Sequence, residues 1–349
     1  MDRSQRSTGD AAGWYGKEVR RRLLPLEFGS SPQTTMLPAN RCGITQEVYE
    51  EKEEDDAGRW HPGMTSNDTI SRRSFLSLAA TTACAVPAAA AASGHIPVGL
   101  ELYSVRDELA RDAHGTVRAV AAMGYEIVEF YAPYFEWSSL DAKKMRSVMD
   151  DVGVRCLSTH NDAKSFTANG LLHAIELNQI LGSKFIVFAD AVKGDSLDGW
   201  KRVAENLNET TEKLKPLGLR TGFHNEELDF TLMGGQRPIE VLAANTSKSV
   251  MLQLDVGTCL EAGYDAVAWI KKNPGRINSM HCKDWSPEPS KGYSVLFGEG
   301  VAPWNNIFAV AEKTGGIEYY LIEQEGSAYP AMETAKRCLA TYRRLRGAM

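Results

Sequence analysis

The stretch Pro216-Leu217-Gly218-Leu219-Arg220-Thr221-Gly222-Phe223-His224-Asn225-Glu226 contains a glycine turn, a short β-type run and a polar cluster where the run ends. A glycine in that place can take positive φ where a helix stops and the chain turns back into a strand. The same punctuation recurs at Ala122-Met123-Gly124-Tyr125, Asp151-Val152-Gly153-Val154, Ile180-Leu181-Gly182-Ser183 and Asn273-Pro274-Gly275-Arg276. Between these marks, amphipathic stretches alternate with short β-type runs, the βα alternation of a parallel sheet. The runs are Val98 to Tyr103, Ile127 to Tyr131, Arg155 to Thr159, Phe185 to Ala189, Arg220 to His224, Val250 to Asp255, Ile277 to His281 and Tyr319 to Glu323. Eight such strands close a (β/α)8 TIM barrel, which as a single domain runs to about 250 residues. An open doubly wound sheet would normally place a glycine-rich phosphate loop after its first strand, but here Tyr103 is followed by Ser104-Val105-Arg106-Asp107-Glu108. An α/β chain folded as a TIM barrel is the expectation.

Upstream, Ser71-Arg72-Arg73-Ser74-Phe75-Leu76 sets a twin arginine before an uncharged, alanine-rich run from Leu76 to Ala92. That run falls short of the roughly 20 apolar residues of a bilayer span and ends in Ala-x-Ala-like choices near Ala90 and Ala92. It reads as a cleavable twin-arginine (Tat) export signal over residues 64–92, leaving no stable membrane insertion and placing the protein in the periplasm or outside the cell. Residues 1–63 are polar, with the acidic stretch Glu50-Glu51-Lys52-Glu53-Glu54-Asp55-Asp56, and read as a disordered or over-extended N-terminus. Residues 93–349 are then the catalytic barrel of a 349-residue chain.

The formal net charge of −6 gives no basic footprint for a nucleic-acid backbone. Cys156, Cys259, Cys282 and Cys338 are scattered without a Cys-x-x-Cys pair, so neither a zinc ribbon nor a disulfide framework is indicated. Oligomeric state is not set by the sequence, and a homo-oligomer stays open.

In such a barrel, side chains at the C-terminal ends of the strands face the active-site mouth. The ends read Glu101, Glu129, His160 and Asp190 on the first four strands, then His224 and Glu226, Asp255, His281 and Lys283, and Glu323 and Glu325. Any one polar residue there has a plain structural explanation. His224/Glu226, Asp255, His281 and Glu323, however, come from four successive strands that a closing barrel brings around one point. Mixed imidazole and carboxylate donors suit Mn²⁺, Zn²⁺, Co²⁺ or a related ion, whereas thiolates would have argued for structural zinc. His224 and Glu226 share one side of an extended chain, and Asn225 points away.

These residues resemble the sugar phosphate isomerase/epimerase group, which shares the xylose isomerase-like barrel. The matching stretches are Gly99-Leu-Glu-Leu-Tyr-Ser-Val-Arg-Asp107, Leu217 to Glu226, Gln253-Leu-Asp-Val-Gly257, Met280-His-Cys-Lys-Asp284, Phe297-Gly-Glu-Gly300 and Ile322-Glu-Gln-Glu325. The resemblance implies one divalent metal held by His224 or Glu226, Asp255, His281 and Glu323. His224 is favoured by register, which leaves Glu226 as a base or a sharer of the ion. Mn²⁺ is the first choice of ion, with Zn²⁺, Co²⁺ or Mg²⁺ as alternatives.

The chemistry implied is removal of a proton beside a carbonyl of a sugar or keto-sugar, leading to an epimer or an isomer. Elimination on a 3-keto-glycoside is an alternative outcome, and a secreted sugar-binding protein without turnover is another. Glu226 and Glu323 are the candidate acid/base groups, Lys283 a contact to a substrate oxygen, and His160 with Glu129 part of the pocket wall. Gly298-Glu299-Gly300 reads first as a turn and secondly as a phosphate seat. Trp137, Trp200, Trp285 and Trp304 serve equally as sugar-stacking or core residues.

Overall fold

A computed structural model describes residues 95–190 and 196–347. The expected export signal over 64–92 and the stretch 1–63 lie outside the described residues, so the expected domain boundaries before the barrel are not addressed by the structure.

Eight parallel strands pair in sequence order and close, first against last, into a barrel. They are β1 (Val98–Glu101), β2 (Ile127–Phe130), β3 (Arg155–Asn161), β4 (Phe185–Phe188), β5 (Arg220–His224), β6 (Met251–Asp255), β7 (Ser279–Cys282) and β8 (Tyr319–Ile322). One principal helix follows each: α1 (Ala113–Ala122), α2 (Ser139–Val152), α3 (Ala168–Leu181), α4 (Leu197–Leu214), α5 (Pro238–Asn245), α6 (Ala266–Lys272), α7 (Trp304–Val310) and α8 (Ala331–Leu345). The ends of these elements follow from local chemistry. In α2, Ser138 and Asp141 form a reciprocal capping box at the start, and Gly153 closes the helix at φ 74°. All five punctuating glycines, Gly124, Gly153, Gly182, Gly218 and Gly275, have positive φ.

Three of the strand ends that differ from the sequence reading bear on the site. β1 stops at Glu101 and not Tyr103, because Leu102–Val105 wind into a helical turn that buries Leu102 and Val105. β3 continues to Asn161, which places His160 within the strand. β8 stops at Ile322, so Glu323 is the first residue beyond it.

The alternation of side chains along each strand separates two environments. Ile127, Phe185, Val187, Met251, Tyr319 and Leu321 form one buried apolar cluster, contributed by β2, β4, β6 and β8. This is the layered filling of a barrel interior. Their neighbours Val128, Phe130, Ile186, Phe188, Leu252, Leu254, Tyr320 and Ile322 belong to the larger core that includes the helices. Two steps further along the inward columns the chemistry changes: Ile127 leads to Glu129, Met251 to Gln253 and Asp255, and Leu321 to Glu323. The barrel is apolar through its middle and ionisable at its C-terminal end. Gly99 allows this closure, since a Cβ there would stand 2.7 Å from Ile127 and 2.8 Å from Leu321.

Candidate active site

The four residues anticipated as metal ligands come together. His224, Asp255, His281 and Glu323 are all buried, and each offers a donor atom within 4.8 Å of the others. Asp255 is fixed by its own helix start: Oδ1 accepts the N–H of Thr258 at 3.0 Å, capping the short helix Val256–Glu261. Asn225 ties β5 to β6, its Oδ1 accepting the Asp255 N–H at 3.0 Å and its Nδ2 donating to Thr258 Oγ1 at 2.8 Å. The outward-pointing member of His224-Asn225-Glu226 is thus a brace for this cluster. Asp255 Oδ2 is buried, pairs with Lys283 Nζ at 2.8 Å and lies 3.9 Å from His224 Nε2. A buried carboxylate oxygen among two imidazoles and a second carboxylate suits a borderline divalent cation.

Charge in this cluster is strongly coupled. His281 lies between two carboxylates, with Nδ1 2.7 Å from Glu323 Oε2 and Nε2 2.7 Å from Glu129 Oε2. Burial alone would lower its pKa, but Glu129 and Glu323 outweigh it and raise the value to about 10. Burial would raise Glu323, but Lys283 and His281 outweigh it and hold the carboxyl well below the usual range. His224 is pushed the other way, well below 6.5, by burial and by the adjacent His160 and His281. Lys283 is 3% exposed, and its ammonium is 2.7 Å from Glu325 Oε1 and 3.7 Å from Glu323 Oε1, as well as 2.8 Å from Asp255 Oδ2. It is a buried counter-ion, not a solvated strand end. Gly257 leaves room for it, since a Cβ there would meet the Lys283 side chain at 3.1 Å.

Glu226 stands apart from the four-residue group. β5 has ended by then, and the Glu226 N–H donates to Asp229 Oδ2 at 2.8 Å at the start of the short helix Glu227–Phe230. Burial raises its carboxyl to about 8, and that of Asp229 to about 7. His160 sits deeper than a pocket wall: its ring stacks on His281 with centroids 5.1 Å apart, and Nε2 is 2.8 Å from Gln253 Oε1 and 3.2 Å from Glu129 Oε2. Glu101, fully buried, is raised well above the usual carboxylate range by burial, Glu129 and Glu323.

Two residues carry structure that the sequence reading did not assign. Gln253 links His160, His224, Glu129 and Ser279. Its signal was its position, two residues before Asp255 on the same inward column. Asp284, just past Lys283, accepts the N–H groups of Trp285, Gly298, Gly300 and Ala302 and the Trp304 indole. Gly298-Glu299-Gly300 is therefore a turn filled by the protein's own carboxylate. Trp200 and Trp304 are buried in the core, Trp137 packs edge-on against Phe130 at 5.2 Å, and Trp285 is half-buried.

The family described as xylose isomerase-like TIM barrel matches residues 117–345, and the chain belongs to it. L-ribulose-5-phosphate 3-epimerase of Salmonella paratyphi C is 25% identical over 246 residues, covering 63% of this chain and 85% of its own length. A sugar phosphate isomerase/epimerase from Parabacteroides distasonis superposes with a TM-score of 0.60 at 26% identity, covering 73% of this chain and 96% of that one. The IOLI protein, solved with a bound zinc atom, gives a TM-score of 0.57 at 15% identity over 72% of this chain and 98% of its own.

Proposed function

We propose that the protein is a divalent-metal-dependent epimerase or isomerase of a free sugar or keto-sugar, acting by proton abstraction beside a carbonyl. The observation that carries the reading is the buried convergence of His224, Asp255, His281 and Glu323, together with Glu226 at the same end of the barrel. Relatives named as sugar epimerases and isomerases support the reaction class. A divalent ion held by the four residues would polarise the substrate carbonyl and offset the negative charge that builds there as the proton leaves. Mn²⁺ is the ion we expect, with Zn²⁺, Co²⁺ or Mg²⁺ as alternatives.

The chain's own groups supply the proton chemistry. Glu226, raised to about 8 by burial, is matched to exchanging a proton near neutrality. Glu323 is the second carboxylate, kept ionised by Lys283 and His281. Two carboxylates on opposite faces of a substrate would invert a carbon, and one carboxylate moving a proton between neighbouring carbons would isomerise. The names of the relatives favour inversion. Lys283 is placed to orient a substrate oxygen. Binding without turnover would not need both carboxylates, which disfavours a passive sugar-binding role.

The substrate is proposed to be unphosphorylated. The turn that could seat a phosphate has its N–H groups taken, those of Gly298 and Gly300 by Asp284 and that of Glu299 by the Leu296 carbonyl, and the twin arginine Arg72-Arg73 reads as an export mark, away from cytoplasmic sugar phosphates. Free ketoses and their phosphates, incubated with metal-loaded protein and followed by chromatography, test this. Epimer should form from a free sugar, stop on chelation and return with Mn²⁺; turnover of phosphates alone would overturn the substrate assignment. Replacing Arg72 and Arg73 by Lys should hold the precursor in the cytoplasm, and unimpaired export of that double variant would remove the localisation.

A further inference from the structure

Building on the proposed metal site, we infer that Gln253 is a positioning residue that holds His224 in its Nδ1–H form, so that the Nε2 lone pair faces Asp255 and the rest of the ligand group. Gln253 is 1% exposed and lies on β6, two residues before Asp255. Its amide nitrogen is 2.9 Å from Glu129 Oε1 and 3.1 Å from Ser279 Oγ. Its carbonyl oxygen is 2.8 Å from His160 Nε2 and 3.1 Å from His224 Nδ1.

A carboxamide has one donor end and one acceptor end. Turning it over would set its oxygen against Glu129 Oε1, acceptor against acceptor. Glu129 cannot readily relieve that by donating, because its other oxygen already faces His281 Nε2 at 2.7 Å and His160 Nε2 at 3.2 Å. The donor end therefore faces Glu129 and the carbonyl faces the imidazoles, each of which must present an N–H. A neutral imidazole has one N–H to give. With it on Nδ1 of His224, the nitrogen left as an acceptor is Nε2, the atom 3.9 Å from Asp255 Oδ2. Glu129 likewise orients His281 through Nε2, although there both nitrogens face carboxylates at 2.7 Å, Nδ1 meeting Glu323. Partners of this kind fix the tautomer and orientation of ligating histidines, and their loss costs roughly 10- to 100-fold in metal affinity.

The direct test is the tautomer of His224 in metal-free, ¹⁵N-labelled protein, read from long-range ¹H–¹⁵N correlations and assigned by loss of the signals in His224→Asn. The Nδ1–H form is expected, and an Nε2–H ring would overturn the inference. Gln253→Met keeps the length and bulk but removes the acceptor. It should weaken Mn²⁺ binding by about 10- to 100-fold, measured by competition with a chromophoric chelator, and leave His224 with mixed tautomers. Wild-type affinity with an unchanged tautomer in this variant would mean that Gln253 only fills space. If Gln253→Met does not fold, the wild-type spectrum alone decides. A wild-type protein with Nδ1–H His224 that binds no divalent ion would keep the role of Gln253 and remove the proposed function.

Discussion

Nδ1 of His281 lies 2.7 Å from Glu323 Oε2, so a residue of the seventh strand and the first residue past the eighth hold each other. Against the opposing effect of burial, Glu129 and Glu323 raise the pKa of the imidazole to about 10, which favours the doubly protonated ring. A group whose folded pKa lies above its unfolded value near 6.5 adds stability that is complete below 6.5 and is lost as pH rises through about 10. For a metal to take His281 as ligand, that proton must leave. Mn²⁺ affinity should therefore rise with pH between 6.5 and 9, by up to ~10-fold per unit for one displaced proton. Calorimetric titration in buffers of different ionisation enthalpy should find about one proton released per ion. Binding without proton release would show that His281 is not a ligand.

Glu323→Gln keeps the size and one oxygen of the side chain while removing its charge and basicity. Turnover should fall by ~10²-fold or more, the usual loss of a positioned base, with weaker metal retention alongside. The kinetic constants and the bound metal after gel filtration check both parts. Retention of full activity and full metal occupancy would remove Glu323 from the site.

Lys283→Met tests the buried counter-ion. The change leaves Asp255 Oδ2 and Glu325 Oε1 without the ammonium that now lies 2.8 and 2.7 Å away. Metal-free protein should lose ~3–5 kcal/mol, the usual consequence of removing one partner of a buried pair. Metal-loaded protein should lose less, because the ion replaces part of the missing charge. Thermal melts with and without Mn²⁺ measure the difference, and the variant should still bind the ion while KM rises. Equal destabilisation in both states would show that Lys283 is structural only.

The barrel was readable because the strands are short and apolar inside and five of them, β2, β3, β4, β5 and β7, follow a turn glycine, all local properties. The polar strand ends were readable for the same reason: where β5 to β8 end, the side chains His224, Asp255, His281 and Glu323 converge by closure alone. What local pattern could not show was pairing across the barrel. Gln253 looks like an ordinary strand residue until β2, β3 and β5 place Glu129, His160 and His224 around it. Asp284 likewise depends on a return of the chain 14 to 20 residues later. Nor did local pattern show that β5 ends at His224 and that Glu226, still extended, caps the short helix Glu227–Phe230.

A further check concerns the chain upstream of the barrel. The strands begin at Val98, and no core-forming periodicity precedes them in the sequence. Removing residues 1–92 should leave the melting temperature unchanged. A large fall would mean that the N-terminal segment packs on the barrel.

Hydrogen exchange at the carbon beside the carbonyl tests the central claim most directly. Mn²⁺-loaded protein is incubated with a free ketose in deuterated water, and the recovered sugar and its epimer are examined by NMR and mass spectrometry. Solvent deuterium should enter at the carbon next to the carbonyl, more slowly by ~10²-fold or more in Glu323→Gln and not at all after the ion is removed. Epimer formed without deuterium, or exchange unaffected by chelation, would contradict a metal-assisted proton abstraction by this site.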